Sequence, residues 1–292
     1  MSGIGNKLSA QCCAKTNLYL HITGKRPDSF HDIETVFWPV TKVKDHLQID
    51  FAPGKGSDPV TIFCETAGVP LDSSNLCWKA AEKYFAAAGI SPRPILIHLE
   101  KGIPISAGMG GGSSDCASVL LLMEEYFGAL GKDRLAALAL SLGSDVPFFL
   151  EPSPAVGRGR GEKLERIAVK DLSLPLLFAS PDFPVSAAWA YSHLDYSLCR
   201  ESSPALSACR KALEEGDLPL LRESLRNDLA PAIFHKYPLA AILHEALEGS
   251  GAAPLLSGSG PTLFALYRDD RAMEKGKEMM EKRFSGEGIT FF

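Results

Sequence analysis

Apolar and polar positions follow two rhythms along the first half of the chain. Alternation with a period of two and runs of β-favouring residues predict strands, whereas apolar residues at helical spacing predict helices. The predicted strands cover 8–22, 31–40, 45–53, 58–66 and 94–99, and the predicted helices cover 75–88, 116–127 and 133–142. The first helix is expected to start at Ser73 or Ser74 and to end near Gly89. Strands that precede helices without regular β-α-β alternation indicate an α+β fold.

The pattern changes at about residue 172. A strand-like apolar run is followed by helical patterns, which one predicted hairpin with a glycine-rich tip interrupts. The strand covers 174–181, the helices cover 185–193, 204–214, 217–225, 228–248 and 270–284, and the hairpin covers 254–267. We therefore predict two domains, over 1–170 and 171–292, a division that a length of 292 residues permits.

Composition and charge narrow the class of protein. With 46% hydrophobic and 22% charged residues the chain is typical of soluble globular proteins, and a net charge of −5 argues against nucleic acid as a partner. The seven cysteines include no C-x-x-C pair, which indicates reduced thiols and not a disulfide framework or a zinc site. No apolar run approaches about 18 residues, so we expect no membrane span and a cytoplasmic location.

The most informative stretch is 101–120, KGIPISAGMGGGSSDCASVL, which places glycines and serines directly before a helical pattern. Glycines allow φ > 0 and a close approach of backbone N–H groups, and a helix N-terminus adds further donors with a positive dipole. This arrangement predicts a cradle for a polyphosphate. The residues that carry this prediction are Gly108, Gly110, Gly111 and Gly112, with Ser113, Ser114 and Asp115 as helix-starting residue types.

Two better-known glycine motifs fit this stretch poorly. A Walker motif needs a lysine after the glycines, but no lysine lies between Gly102 and Leu120. A dinucleotide fingerprint needs a strand running straight into the glycines and an acid that ends the next strand, whereas Glu124 and Glu125 fall within the predicted helix. A merely flexible turn is the remaining alternative, and it gains nothing from the sequence GGGSS.

Two charged residues stand in apolar surroundings elsewhere in the chain. Lys15 lies in the middle of the first predicted strand, where it is either an edge residue that reaches water or a cation that points into a site. Asp145 lies between Gly-Ser and Val-Pro-Phe-Phe, where it is either a turn or cap residue or a reactive carboxylate. The residues alone leave both choices open.

Four motifs resemble those of the GHMP kinases, the superfamily named for galactokinase, homoserine kinase, mevalonate kinase and phosphomevalonate kinase. Segment 104–114, P-x-x-x-G-x-G-G-G-S-S, resembles their phosphate loop. Segment 14–35, AKTNLYLHITGKRPDSFHDIET, resembles the opening of the branch that phosphorylates a cytidine diphosphate-linked methylerythritol. Residues 142–147 match its L-G-A-D-V-P apart from Ser144, and 257–261 match its Ser-Gly-Ser-Gly-Pro.

The resemblance implies a fold and an activity. The implied fold is a ribosomal S5-like N-terminal domain and a ferredoxin-like, partly helical C-terminal domain, with the active site in the cleft between them. The implied reaction is ATP-dependent phosphorylation of the 2-hydroxyl of that acceptor, in non-mevalonate isoprenoid synthesis, with ATP and Mg²⁺ as cofactors. The expected partners are small molecules, and the expected state is a monomer or homodimer. Another GHMP kinase, homoserine- or mevalonate-like, and a non-catalytic nucleotide sensor are the alternatives.

The resemblance also assigns roles to individual residues. Asp145 would accept the proton of the acceptor hydroxyl, and Lys15 would hold that hydroxyl and stabilise its developing charge. The residues implied to bind the nucleotide are Asn75, Lys101 and those of the phosphate loop, Pro104, Ile105, Ser106, Ala107, Gly108, Met109, Gly110, Gly111, Gly112, Ser113 and Ser114. Ser113 and Ser114 are also the residues implied to lie near Mg²⁺. The residues implied to bind the acceptor, with its cytosine between aromatic rings, are Asn17, Phe30, His31 and Tyr191. Packing within the core or the hairpin is the alternative for Phe30 and Tyr191.

The chain departs from the family pattern at two neighbouring positions. Ser29 and Phe30 stand where the family has Gly and Tyr. Ser29 predicts that this turn does not need φ > 0, and Phe30 keeps the stacking face of tyrosine but loses its hydroxyl. Residues 155–164, AVGRGRGEKL, resemble the mobile glycine loop of the family, so Arg158 and Arg160 are expected to be solvated or to meet a phosphate.

Overall fold

The computed structural model describes residues 6–51, 59–170, 173–196 and 203–292. The strands in these ranges are β1 (Lys7–Lys25), β2 (His31–Asp50), β3 (Val60–Phe63), β4 (Ile95–Glu100), β5 (Ala155–Gly159), β6 (Lys163–Arg166), β7 (Leu176–Pro181), β8 (Arg226–Asn227), β9 (Ala253–Leu256), β10 (Leu263–Leu266) and β11 (Ile289–Phe291). The helices are α1 (Leu76–Ala88), α2 (Gly111–Phe127), α3 (Gly131–Leu142), α4 (Val146–Leu150), α5 (Ala187–Ser192), α6 (Ser203–Glu215), α7 (Leu218–Ser224), α8 (Ala230–Lys236), α9 (Pro238–Gly249) and α10 (Asp270–Arg283).

The chain divides into two compact units that are interleaved in sequence. The first unit comprises Met1–Ala14, Val40–Ile105 and Gly110–Pro152, and the second comprises Lys15–Pro39, Ser106–Met109 and Ser153–Phe292. The long strands β1 and β2 therefore contribute residues to both units. The domain boundary near residue 170 stays a prediction, because residues 171 and 172 lie outside the described ranges.

In the first unit, β4 lies between β3 and β2. β3 is parallel to β4, with Val60 opposite Ile95, and β4 is antiparallel to β2, with Leu99 opposite Leu47. Alternate residues of these strands are buried, because one face of the sheet packs on the core. The predicted strands over 31–40 and from 45 onward form the one continuous strand β2, and the turn predicted between 53 and 58 lies outside the described residues.

Helix α1 confirms the predicted end but not the predicted start. Gly89 closes the helix in the left-handed conformation, with φ of 68°. The N-cap is Asn75, whose side chain accepts from the N–H of Cys77 at 2.8 Å, and not Ser73 or Ser74. Ser74 instead donates its backbone and hydroxyl hydrogens to Asp72 in the preceding turn, and this use of its side chain explains the shift.

The second unit contains an antiparallel sheet in the order β11-β7-β10-β9. β9 and β10 form the hairpin predicted over 254–267, with Leu263 opposite Leu256. Helices α8, α9 and α10 supply Ile233, Leu243 and Met280, respectively, to a hydrophobic core. Residues of β7 and β10 belong to the same core. In the same unit β8 runs parallel to β1, with Tyr19 opposite Arg226.

Two predictions for the second unit are wrong. The helix predicted over 228–248 is two helices, because Pro238 starts α9 and the preceding Tyr237, with φ of −121° and ψ of 83°, is not helical. The loop predicted over 155–164 is the antiparallel hairpin of β5 and β6, whose first strand pairs with β2. Arg158 in this hairpin forms ion pairs with Glu34 and Glu165.

Six of the seven cysteines lie within the described ranges. The described cysteines are Cys12, Cys13, Cys64, Cys77, Cys116 and Cys209, and each is a free thiol. The seventh, Cys199, lies outside the described residues. Among the helices of the described chain, none is both long and apolar enough to cross a bilayer.

Candidate active site

Lys15 is a buried lysine in the middle of β1, within the second unit. It is 5% exposed, so it is not an edge residue that reaches water. Its ammonium donates to Oδ1 of Asn17 at 2.8 Å and lies 5.8 Å from the centroid of the Phe37 ring. Asn17 in turn donates through Nδ2 to the hydroxyl of Thr35 at 2.7 Å. A buried ammonium with a hydrogen-bonded orientation is suited to binding an anionic or developing negative charge.

The glycine-rich turn between β9 and β10 lies against Lys15 and against part of the predicted phosphate loop. The backbone N–H of Lys15 donates to the carbonyl of Met109 at 2.9 Å, and the hydroxyl of Ser257 donates to the carbonyl of Gly108 at 3.2 Å. A Cβ on Gly108 would lie 2.0 Å from the carbonyl oxygen of Ser257, and a Cβ on Gly258 would lie 3.1 Å from Nζ of Lys15. Only glycine allows these two loops to approach this closely.

Asn227, at the end of β8, holds this turn in place. Its Nδ2 donates to the carbonyls of Leu256 and Gly258, each at 2.8 Å, and its Oδ1 accepts from the N–H of Leu229. It is 6% exposed, so its amide is committed to these partners. Sequence reasoning missed Asn227, because it is far in sequence from the turn that it fixes.

The middle of the predicted phosphate loop alternates between exposed and buried residues. Ile105 and Ser106 are exposed, whereas Ala107 and Met109 are buried in the core. Ser106 has φ of 53°, an uncommon value for a residue other than glycine, and its carbonyl accepts from the N–H of Val185. The buried side chains anchor the loop, while other backbone groups of the loop stay at the surface.

Helix α2 starts at Gly111, five residues before the start of the helix predicted over 116–127. Gly110 precedes it with φ of 74°, and within the described chain no side chain caps this N-terminus. Gly112 and Ser113 are more accessible than Ser114, which is 2% exposed. The uncapped N–H groups of a helix N-terminus are donors for an anion, which agrees with the cradle predicted from the glycines.

Lys101 lies immediately behind this N-terminus, in the first unit, between two carboxylates. Its Nζ donates to Oδ2 of Asp115 at 2.7 Å and also forms an ion pair with Asp45. Asp45 is fully buried and accepts from the N–H groups of Gly102 and Ile103 through its other oxygen, at 2.7 and 2.8 Å. We call Lys101, Asp45 and Asp115 the Lys101 cluster. It joins β2, the residues before the glycine loop, and α2.

Burial and charge act in opposite directions within the Lys101 cluster. Burial opposes the charge of the Lys101 ammonium, but Asp115 and Asp45 outweigh that cost and raise its pKa. Burial raises the pKa of Asp115, with Lys101 working against the shift and Asp45 adding to it. Oδ1 of Asp115 is buried without a hydrogen-bond partner among the described residues. Sequence reasoning found Lys101 but missed both acids.

Asn75 and Asp145 lie at helix N-termini of the first unit. Asn75 uses both ends of its amide within the chain, since Nδ2 donates to the carbonyl of Pro70 at 2.6 Å and Oδ1 caps α1. Asp145 precedes α4, and its neighbours Val146 and Phe148 are buried, as the sequence predicted. The Asp145 carboxylate makes no cap for α4, so the cap alternative is removed. The nucleotide role of Asn75 and the reactive role of Asp145 stay predictions.

Two of the residues predicted to bind cytosine, His31 and Tyr191, contact each other in the second unit. The ring of His31 stacks on that of Tyr191, with centroids 5.1 Å apart, and its Nε2 lies 2.8 Å from the hydroxyl of Tyr196. Phe30 is 49% exposed, and the guanidinium of Arg160 lies 4.5 Å from its ring centroid. Burial and then Lys25 lower the pKa of His31, which favours the neutral imidazole.

The turn before Phe30 corrects one expectation. Ser29 has φ of 69°, so the turn does need a left-handed residue although its glycine is replaced. Asp28 holds the turn by accepting from the N–H of Phe30 at 3.2 Å and by an ion pair with Arg26. Arg26 also pairs with Asp32, so both ends of the turn are fixed by one guanidinium.

The last feature of the site is its capacity to hold a metal ion. Across those ranges, no group of three or more His, Cys, Asp or Glu side chains is placed to hold a metal ion. Mg²⁺ does not need such a group when it arrives with a nucleotide, because it keeps several waters and binds the phosphates directly. Ser113, at the first turn of α2 and not fully buried, has the oxygen donor that such an ion takes, and Ser114 is too buried to do so without a rearrangement.

Comparisons with known proteins agree with these features. The model of "GHMP kinases N terminal domain" matches residues 75–151, and that of "GHMP kinases C terminal" matches residues 209–286. Two relatives are both named "4-diphosphocytidyl-2-C-methyl-D-erythritol kinase". The one from Chloroherpeton thalassium is 35% identical over 274 residues, which cover 93% of each chain. The one from Synechococcus sp. is 35% identical over 286 residues, which cover 93% of this chain and 88% of the relative.

Solved structures extend the comparison to the fold. A crystal structure of 4-(cytidine 5'-diphospho)-2C-methyl-D-erythritol kinase has a TM-score of 0.74 and 30% identity, over 97% of this chain and 98% of that one. Homoserine kinase from Cytophaga hutchinsonii has a TM-score of 0.79 at 18% identity, over 100% of this chain and 95% of that one, and this likeness concerns the fold alone. The predicted two-part kinase fold is confirmed.

Proposed function

Because the chain belongs to the 4-diphosphocytidyl-2-C-methyl-D-erythritol kinases within the GHMP kinases, we propose that it transfers the γ-phosphoryl group of ATP to the 2-hydroxyl of 4-diphosphocytidyl-2-C-methyl-D-erythritol. This reaction belongs to non-mevalonate isoprenoid synthesis. The observation that carries the proposal is the buried, hydrogen-bonded ammonium of Lys15 beside a glycine turn, on a chain with this family membership. The proposal includes a cytoplasmic enzyme that acts as a monomer or homodimer.

The phosphates of ATP are held by the loop from Pro104 to Ser114. The uncapped N-terminus of α2 supplies backbone donors and a positive dipole, and the glycines keep side chains out of the way. The Lys101 cluster supports this loop from behind. Mg²⁺, when bound with the nucleotide, neutralises phosphate charge, and Ser113 is the residue of this chain that would hold it.

Lys15 and Asp145 act on the acceptor hydroxyl. Lys15 stabilises the negative charge that develops on the attacking oxygen, for which its buried ammonium is suited. Asp145 accepts the hydroxyl proton, a role that its place in the family motif implies and that capping of α4 does not compete for. Phosphoryl transfer asks the protein for positioning and charge stabilisation more than for covalent chemistry, so this pair supplies what the reaction needs.

The cytosine of the acceptor binds among Phe30, His31 and Tyr191. Bases gain about 1–3 kcal/mol from each aromatic stacking face. The exposed ring of Phe30 offers one face, and Tyr191, stacked on His31, supplies a second aromatic surface. A neutral His31 has one ring donor and one ring acceptor with which to read the edge of a base.

An ATP-consumption screen tests the proposal. The purified chain is assayed with 4-diphosphocytidyl-2-C-methyl-D-erythritol, homoserine, mevalonate and galactose, and we expect turnover only with the first. Asp145→Asn should lower that turnover at least about 10²-fold while ATP still binds. Turnover with homoserine or mevalonate would contradict the acceptor, and full activity of Asp145→Asn would remove this residue from the reaction.

A further inference from the structure

We propose that Thr35 is a positioning residue, which fixes the direction in which the Lys15 ammonium points. The inference deepens the proposed function and rests on it. Thr35 lies on β2 and is fully buried. Its hydroxyl links two residues of the neighbouring strand, because it accepts from Asn17 at 2.7 Å and donates to the carbonyl of Tyr19 at 2.6 Å.

The direction of each hydrogen bond follows from counting protons. A threonine hydroxyl has a single hydrogen, and the backbone carbonyl of Tyr19 is an acceptor only. The Thr35 hydroxyl therefore donates its only hydrogen to that carbonyl and accepts from Asn17 with a lone pair. Only the NH₂ end of the Asn17 amide donates, so that end must face Thr35, and Oδ1 is left to accept from Lys15 at 2.8 Å.

A reversed amide would place NH₂ hydrogens against the ammonium of Lys15. Both groups are donors, so the contact would repel, and Oδ1 would meet the lone pairs of the Thr35 oxygen. Without the hydroxyl, the Asn17 amide loses the contact that keeps its NH₂ end away from Lys15. Gly258 lies close to both groups, since a Cβ there would lie 3.1 Å from Nζ of Lys15 and 3.4 Å from Oδ1 of Asn17.

The surroundings of Thr35 provide a clean pair of variants. A Cβ on Gly157 would lie 3.0 Å from Cγ2 of Thr35, so the methyl group already fills its space. Thr35→Val keeps this shape and removes the hydroxyl, whereas Thr35→Ser keeps the hydroxyl and removes the methyl group. Ser180→Ala is the control, because Ser180 is a buried hydroxyl of the same unit that is bonded to Thr262 at 2.9 Å.

Steady-state kinetics with ATP and the cytidine acceptor separate positioning from stability. We expect Thr35→Val to lower kcat about 10- to 100-fold, as misplacement of a reacting group does, with KM for ATP within about two-fold of the parent. Thr35→Ser should recover most of kcat, and Ser180→Ala should keep it. A loss in Thr35→Ser as large as in Thr35→Val, or an equal loss in Ser180→Ala, would overturn the inference.

A double-mutant cycle with Asn17→Ala gives the sharper test. Because Thr35 acts through Asn17, adding Thr35→Val to Asn17→Ala should lower kcat no further. A merely structural threonine would cause the same loss in both backgrounds, and that result would contradict the inference. If the parent chain turned over a different acceptor, the proposed function would fail, while the same cycle run with that acceptor would still decide the role of Thr35.

Discussion

Lys15 and Lys101 are both removed from water, but different chemistry holds them. Lys15 is 5% exposed and donates to a neutral amide, which a neutral hydroxyl orients in turn. The side chain of Lys101 is 7% exposed and is paired with two carboxylates. The contact with a neutral amide oxygen orients the Lys15 ammonium, whereas the two carboxylates at Lys101 hold together the segments that carry them. This comparison supports the proposals that Lys15 acts in the reaction and that Lys101 supports the loop.

The largest expected effect separates the two lysines directly. Lys15→Ala should lower kcat at least about 10²-fold, because its ammonium no longer stabilises the attacking oxygen. Lys101→Ala should cost about 3–5 kcal/mol of the free energy of unfolding, because two buried carboxylates lose their cation, and it should lower kcat much less than Lys15→Ala does. Kinetics and urea unfolding on both variants measure these effects. A loss of kcat as large in Lys101→Ala as in Lys15→Ala would remove the distinction.

Replacing all three charged residues of the Lys101 cluster by neutral ones tests whether the charges contribute to stability only by compensating one another. Lys101→Met combined with Asp45→Asn and Asp115→Asn should recover at least about 2 kcal/mol of the stability that Lys101→Met loses alone. The change at Asp45 orphans no backbone donor, since an amide oxygen there still accepts from the N–H groups of Gly102 and Ile103. Urea unfolding decides the matter, and a triple variant as unstable as the single one would contradict the interpretation.

Each lysine has a glycine close to it, and substitution of the two glycines should change different kinetic constants. A Cβ on Gly111 would lie 3.3 Å from Nζ of Lys101, and one on Gly258 would lie 3.1 Å from Nζ of Lys15. Gly111→Ala should raise KM for ATP about 10-fold, whereas Gly258→Ala, at φ of +55°, should mainly lower kcat by a similar factor. Gly249→Ala, where a Cβ meets nothing within 4 Å, is the control. The reverse pattern would exchange the two assignments.

The smallest expected effect on turnover comes from placing a carboxylate at position 17. Asn17→Asp places a whole negative charge 2.8 Å from the ammonium. We expect kcat to fall about 3- to 5-fold, because the carboxylate competes with the acceptor oxygen for the charge, and stability to fall by about 1–3 kcal/mol, because a carboxylate cannot donate to the Thr35 hydroxyl. Kinetics and thermal unfolding measure both. An unchanged kcat would show that the neutrality of Asn17 is unimportant.

Local patterns predicted the long elements well. β1, the end of α1 at Gly89 and the hairpin over 254–267 follow from residues within a few positions of one another. Helix α4 and the two- and three-residue strands β8 and β11 were missed, because such short elements have no periodicity of their own. The split at Pro238 carried a signal, the proline itself, that the helical pattern outweighed.

The positioning residues were missed for a different reason. Asp45 and Thr35 form hydrogen bonds with residues that are distant in sequence and that β-sheet pairing or loop packing brings close. No local spacing in the sequence predicts those contacts. A weaker signal was nonetheless present. Asp45 alternates with Leu47 and Ile49 on the buried face of β2. A polar residue at such a position is buried, and a buried polar group needs a hydrogen-bond partner.

The interleaving of the two units sets an order of events during synthesis on the ribosome. The first unit, with the Lys101 cluster, has all its residues once Pro152 has been made, whereas Lys15 must wait for Gly258. At about 5–20 residues per second, roughly a hundred further residues take on the order of 5–20 s. A nascent chain therefore has every residue of the Lys101 cluster well before the residues that surround Lys15 are complete.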